Sequence, residues 1–331
     1  MNRFASLSDE KRSFYVQQAA DRLGLPPASV EKDFWVCWTL AKLFASALLA
    51  PKILFKGGTS LSKVFGLIRR FSEDIDLVLD WNEVVWEDPN LARSKTRQDG
   101  FNNEVNDRSR CYIRETFLPE VRQLIDGYCS ADVEEGSPDV IDIRYPSMFS
   151  DRYLRPEIRL EIGPLAQWIP NARYEIRPYV VEAFPHLFDE PGCYVMAVKA
   201  ERTFWEKVTI LHCEAFRSAE KPLPSRYSRH YYDLAMMAEA PAVLSAALGD
   251  LALLHSVVEF KKKFYPRAWA HYELARPGTM RLLPPEHNLK ALADDYKQMQ
   301  VMLFGLVPSF DDLMQDLGKL ENQINAPRGS E

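Results

Sequence analysis

The chain has 331 residues, 47% of them hydrophobic, and a formal net charge of −6. That is enough to bury a substantial core in one large domain or two moderate ones, and the acidic balance gives no overall attraction to nucleic acid. Five scattered cysteines, Cys37, Cys111, Cys129, Cys193 and Cys213, form no Cys-x-x-Cys pair, which speaks against a structural zinc site and a disulfide framework.

The first fifty residues read as helices, with Ser8 and Ser29 as N-caps and apolar spacing through Phe34, Trp35, Trp38, Leu40 and Leu43. Lys42 interrupts the apolar stretch that ends at Ala50, and the first residues lack a signal-peptide pattern, so a cytoplasmic protein without membrane association is expected. Strands are expected at 53–55, 75–80, 140–145, 157–162 and 174–181, with one more before Lys199. A charge-balanced, helix-prone insertion, expected to be exposed, lies near 83–127. From Lys199 the periodicity is helical, with proline-rich breaks at 221–225 and 283–285 and a frayed tail after 325. The expected class is α+β: a mixed β-sheet with flanking helices over 1–198, followed by a helical C-terminal lobe over 199–331.

The chemistry-bearing segment is Lys56-Gly57-Gly58-Thr59-Ser60-Leu61, followed by Asp74-Ile75-Asp76-Leu77 on an apolar strand. Alternate side chains of a strand share a face, so Asp74 and Asp76 project side by side while Ile75, Leu77 and Leu79 point to the core. Two carboxylates that close repel, and a divalent cation relieves the repulsion; Mg²⁺ favours one or two carboxylates completed by water and phosphate oxygens. Gly57 and Gly58 allow a turn that exposes backbone N–H groups at a helix start, a seat for phosphate, with Thr59, Ser60 and Lys63 within reach of the same anion. A phosphate seat beside a metal seat points to phosphoryl or nucleotidyl transfer.

This segment resembles the signature of the DNA polymerase beta-type nucleotidyltransferase superfamily. Within it, the glycine turn with Arg70-Phe71-Ser72-Glu73-Asp74-Ile75-Asp76-Leu77 is similar to the AbiEii/AbiGii (MenT-like) toxin group. So are Glu201-Arg202-Thr203-Phe204-Trp205-Glu206-Lys207 and Arg229-His230-Tyr231-Tyr232-Asp233-Leu234. Fifteen residues separate Gly58 from Asp74, more than in minimal superfamily members. The resemblance implies a nucleotidyltransferase fold, a nucleoside triphosphate substrate, Mg²⁺ as one or two ions, and a third metal-binding acid on a neighbouring strand. Glu161 is the leading candidate for that acid, with Glu157 its rival. The resemblance also implies that Lys207 contacts the triphosphate, with Lys199 as alternative and a salt bridge to Glu206 or Glu214 as the competing structural role. Asp233 falls in the family's later acidic motif, where it and Arg229 would position the nucleotide, orient Lys207 or form a helix brace.

The implied biology is a toxin of a toxin–antitoxin or abortive-infection phage-defence pair, with a separately encoded antitoxin and RNA, such as a tRNA 3′ end, as acceptor. Alternatives are transfer to a protein or small molecule, or a non-catalytic GTP- or ATP-binding defence protein. Arg144, Arg152, Arg155, Arg159, Arg173 and Arg177, and separately Arg217, Lys221, Arg226 and Arg229, form basic runs that could meet RNA. They read equally as solvated faces balanced by Glu157, Glu175, Glu214 and Glu220.

Overall fold

A computed structural model describes residues 1–72, 74–151 and 154–327. Glu73 of the aspartate motif, Arg152 of the basic run and the end of the tail lie outside the described residues. The chain divides into two compact units: Met1–Phe65 with Phe71–Val198, and Gly66–Arg70 with Lys199–Glu331.

The first unit opens with helices α1 (Asn2–Ala5), α2 (Asp9–Leu23) and α3 (Pro27–Ala45). Ser8 caps α2 by accepting from the Lys11 N–H. Ser29 caps nothing: Pro27, with its φ already set for a helix, starts α3 two residues earlier and leaves Ser29 buried inside it. The chain then forms β1 (Ile53–Lys56), α4 (Gly57–Lys63) and β2 (Asp74–Leu79). The 83–127 segment supplies α5 (Lys95–Tyr112) and α6 (Leu118–Ile125), joined by a π-helical stretch. Its exposure was expected from charge balance, yet Phe101, Val105, Ile113, Phe117 and Val121 form a buried stripe, and α6 packs on α3.

Next come β3 (Ser130–Glu134), β4 (Ser137–Arg144), β5 (Glu157–Gly163), β6 (Asn171–Ile176), α7 (Tyr179–Ala183) and β7 (Cys193–Val198). The strand expected to run to Val181 stops at Ile176 because Pro178 cannot continue a ladder and instead opens α7. The seven strands of the described residues form one sheet in the order β3-β4-β5-β2-β1-β7-β6. The mixture of parallel and antiparallel pairs puts β2 at the centre, antiparallel to β1 and parallel to β5.

Register decides the two faces of this sheet. Phe55 pairs with Leu77, Ile75 with Leu160, and Leu160 with Ile141, so one face is a continuous apolar layer toward α3. Each large apolar side chain fully buried there contributes about 1.5–3 kcal/mol. The opposite face carries the polar partners of the same ladders.

The second unit is built of α8 (Ala200–Glu214), α9 (Ser228–Ala238), α10 (Pro241–Gly249), α11 (Leu251–Phe264), α12 (Glu286–Met299) and α13 (Phe310–Asn325). Helix α8 is its central element, buried from Arg202 through Leu211 on most sides, with the Trp205 Nε1–H donating to the Ala247 carbonyl at 3.2 Å. Residues Gly66–Arg70 join this unit through the chain itself: the Phe304 N–H donates to the Arg69 carbonyl at 3.0 Å and the Arg69 N–H donates to the Tyr232 hydroxyl at 3.2 Å. The fold is therefore α+β, a mixed sheet with flanking helices and a helical C-terminal lobe. Among the described residues no single helix is long and apolar enough to cross a membrane; α10 and α11 reach that composition only together and are bent by 75°.

Candidate active site

The polar face of the sheet places Asp76 opposite Lys56 on β1 and opposite Glu161 on β5. One pleat along the same face, Asp74 lies opposite Arg159, which lies opposite Asp142 on β4. Directly opposed residues project to the same side. The sheet therefore assembles Asp74, Asp76 and Glu161 on one surface. Glu157, the rival third acid, pairs instead with Arg144, one step beyond the aspartates.

The glycine turn meets this surface at Asp76. Gly57 has φ +82°, and a Cβ there would fall 1.8 Å from the Asp76 Oδ2. Only glycine allows both the left-handed backbone and that approach. The turn and the aspartate strand are also tied by Thr59, whose hydroxyl donates to the Asp74 carbonyl and to the Ser72 carbonyl. These contacts close the fifteen-residue gap of the sequence motif. Gly57→Ala should cost roughly 1–2 kcal/mol in backbone strain alone and should displace the Asp76 carboxylate. We expect transfer to fall to background while circular dichroism stays native; retained turnover would show that the close approach has no catalytic consequence.

Three expectations for the phosphate seat are corrected. The Ser60 hydroxyl is fully buried and donates to the Gly57 carbonyl at 2.9 Å, while the Thr59 hydroxyl is spent on the carbonyls of Ser72 and Asp74. Both hydroxyls brace the turn. Lys63 does not reach outward: its Nζ sits 2.7 Å from the Asp33 Oδ1 with both side chains buried, and 3.8 Å from the Tyr179 ring centroid. Burial would lower the Lys63 pKa, but the Asp33 carboxylate outweighs it and raises it, so the lysine stays charged. Lys63→Met should therefore cost about 3–5 kcal/mol of stability by leaving Asp33 buried without its partner. Urea unfolding reads this loss, and nucleotide affinity of the folded variant should be unchanged.

Within the helical unit a second constellation forms. Arg70 grips Asp233 with two bonds, Nε to Oδ1 at 2.6 Å and Nη2 to Oδ2 at 2.9 Å, and Lys207 Nζ lies 2.7 Å from the same Oδ2. All three side chains are buried. Burial alone would raise the Asp233 carboxyl pKa; Arg70 and Lys207 together hold it well below the usual carboxylate range. Lys207 thus bridges to Asp233, whereas Glu206 pairs with Arg202 and Glu214 with Arg217. Arg229, expected one turn away as the partner of Asp233, is exposed, and Arg70 takes that place. Lys199, the alternative to Lys207, precedes α8 and is half-buried. His230, next on the helix, is pushed well below its ordinary pKa by burial and by Lys207 and Arg229, so it is neutral at pH 7.

The basic runs are largely matched by acids. Arg144 pairs with Asp132, Arg155 and Arg159 with Glu134, Arg177 with Glu175, and Arg217 is buried against Glu214. Arg173 and Lys221 lie instead over the rings of Tyr194 and Trp269.

As to a metal, Asp74 and Asp76 present hard oxygen donors on one face, and the missing Cβ of Gly57 lets the Asp76 carboxylate lie directly against the glycine turn. That donor set fits a Mg²⁺ ion that takes two carboxylates and draws its other ligands from water and phosphate. Among the described residues no group of three or more His, Cys, Asp or Glu is arranged to hold an ion. Glu161 is turned to Arg159, at 3.0 Å.

The family model described as nucleotidyl transferase AbiEii toxin, type IV toxin–antitoxin system, matches residues 38–316. A comparison with curated proteins found no match. Among solved structures the chain is similar to MenT4, the nucleotidyltransferase toxin Rv2826c from Mycobacterium tuberculosis H37Rv. That match has 16% identity and a TM-score of 0.44, and covers 95% of this chain and 99% of that one. It is also similar to a chain from H. pylori assigned to the nucleotidyltransferases, with 15% identity and a TM-score of 0.43, covering 88% of this chain and 93% of that one. Because the family match runs through both compact units, the protein belongs to the AbiEii nucleotidyltransferase toxins of type IV toxin–antitoxin systems.

Proposed function

We propose that this nucleotidyltransferase moves a nucleoside monophosphate from a nucleoside triphosphate to a hydroxyl of RNA, such as a tRNA 3′ end, and that it depends on Mg²⁺. The observation that carries the reading is the approach of Gly57 to Asp76, which sets a glycine turn directly against one carboxylate of the strand's pair. Asp74 and Asp76 would hold the ion, with Glu161 in register beside Asp76. When bound, the ion neutralises phosphate charge and makes the acceptor hydroxyl more acidic. The N–H groups of Gly57 and Gly58 would orient the triphosphate; within the helical unit, Lys207 has its ammonium fixed by Asp233 and would be that unit's phosphate-binding cation. Arg229 is exposed and would bring a second positive charge to the helical unit, outside the buried triad.

In the reaction the acceptor hydroxyl gives up its proton to water as its oxygen bonds to the α-phosphorus, the α–β phosphoanhydride bond breaks, and pyrophosphate leaves with the triphosphate's remaining charge. The chain's contribution is positioning and charge compensation, with no covalent intermediate on a side chain. The protein would act in the cytoplasm, be restrained by a separately encoded antitoxin and take part in abortive phage defence.

The test offers each labelled triphosphate to the purified chain with Mg²⁺ and either whole-cell RNA or RNA-depleted extract. Label that ribonuclease removes supports an RNA acceptor. Label that only protease removes, or that stays in small molecules, transfers the same chemistry to the alternative acceptors, a result in keeping with the paired arginines. Binding without incorporation would leave only nucleotide sensing.

A further inference from the structure

We infer that Arg159 is a built-in cation of the catalytic face, occupying the place a second metal ion would need, so that this chain binds one divalent ion at Asp74 and Asp76 and not two. The inference rests on the metal reading above and narrows it. Arg159 sits in the cross-strand row between Asp74 on β2 and Asp142 on β4. Its Nη1 is 3.0 Å from the Glu161 Oε1 and 3.8 Å from the Asp74 Oδ1. Its Nη2 is 2.6 Å from the Glu134 Oε2, and its Nε is 4.0 Å from the Asp142 Oδ1. One guanidinium therefore stands among four carboxylates, two of which are the outer members of the candidate metal set.

The position is built. Glu134 belongs to the β3–β4 hairpin, where the register shifts between Val133 and Glu134, and such a bulge re-aims the side chain that follows it. That glutamate makes the shortest contact of the group and anchors the fork from the side away from β2. The Arg159 side chain is mostly buried, at 16% exposure, so its charge is felt with little screening.

An ion shared by Glu161 and Asp74 would have to lie against a fixed positive charge. A lysine could shed its proton to admit such an ion; an arginine cannot. Glu161 is thereby withdrawn from coordination and given to the guanidinium, 3.0 Å away. Asp76 lies opposite Lys56 and against Gly57, and would be the principal ligand. Arg159 is thus a positioning residue, holding the carboxylate face together before and after the ion arrives.

The experiment is Mn²⁺ titration of the full chain without nucleotide, followed by electron paramagnetic resonance and by thermal shift. The wild type should bind one Mn²⁺, lost in Asp76→Asn. Arg159→Met should melt lower without metal, bind a second Mn²⁺ and regain stability as Mn²⁺ is added, whereas Arg159→Lys should keep a single ion. If Arg159→Met does not fold, Arg159→Gln, which can still hydrogen-bond toward Glu134, is read in the same way. Two ions on the wild type, or an unchanged single ion in the neutral variants, would overturn the inference while leaving the Asp74/Asp76 site standing. A wild type whose Mn²⁺ uptake is absent or indifferent to Asp76→Asn would defeat the metal reading itself, and the inference with it.

Discussion

Asp76→Asn and Asp74→Asn are each expected to lower transfer by about 10³-fold or more, the equivalent of roughly 4 kcal/mol of transition-state stabilisation. Asparagine keeps the volume and part of the hydrogen bonding but removes the charge that would hold a cation. The fold should survive, because β2 is secured by Ile75, Leu77 and Leu79 on the buried face and not by its carboxylates. Of the two, Asp76 should matter more. It faces the glycine turn, while Asp74 shares its outer side with Arg159. Turnover of labelled nucleotide, alongside melting curves for each variant, decides the matter; near-native turnover in either would remove that residue from the site.

Asp233→Ala is expected to cost about 3–5 kcal/mol of stability, because it strands two cations in a dry environment. The loss should be greater than for Lys207→Met, which leaves the Arg70 fork in place. It should also depend on pH. The folded carboxyl pKa is depressed, so Asp233 contributes fully above its unfolded pKa near ~4 and loses that contribution only as pH falls through the lower folded value. Urea midpoints of wild type and Asp233→Ala should therefore differ widely at neutral pH and converge in strong acid. A variant with an unchanged midpoint and abolished transfer would assign Asp233 to nucleotide chemistry alone.

What the sequence made legible follows the range of the interactions involved. The alternation in Asp74-Ile75-Asp76-Leu77 shows which side chains share a face, because a strand's period is local. The position of Glu161 could be narrowed by the same alternation, but its register against Asp76 depends on pairing between strands far apart in the chain. Lys63 misled for a related reason. One turn after a glycine loop, an exposed lysine would meet phosphate, and nothing local announces Asp33 on α3. Likewise Arg70 and Asp233 are separated by 163 residues, so the near neighbour Arg229 looked like the natural partner.

The missed strand β3 is short, carries Asp132 and Glu134, and lies at the sheet edge, where apolar alternation is weakest. Its signal was the Glu135-Gly136 turn, with Gly136 at φ +84°, leading into β4. That hairpin matters to the site because it supplies the glutamate that anchors Arg159. Arg159 itself was visible only as one of a basic run. Its surroundings, all acidic and all from other strands except Glu161, give it a different meaning from that of a solvated charge.

The position of the label in the transferred group tests the central claim most directly. Nucleoside triphosphate labelled at the α-phosphate or at the γ-phosphate is incubated with the chain, Mg²⁺ and whole-cell RNA, and acceptor and released phosphate are separated. Nucleotidyl transfer at the Asp74/Asp76 face predicts α-label in the acceptor and γ-label in pyrophosphate, both abolished by Asp76→Asn. Label from the γ-phosphate in the acceptor, or α-label transfer that persists in Asp76→Asn, would contradict it.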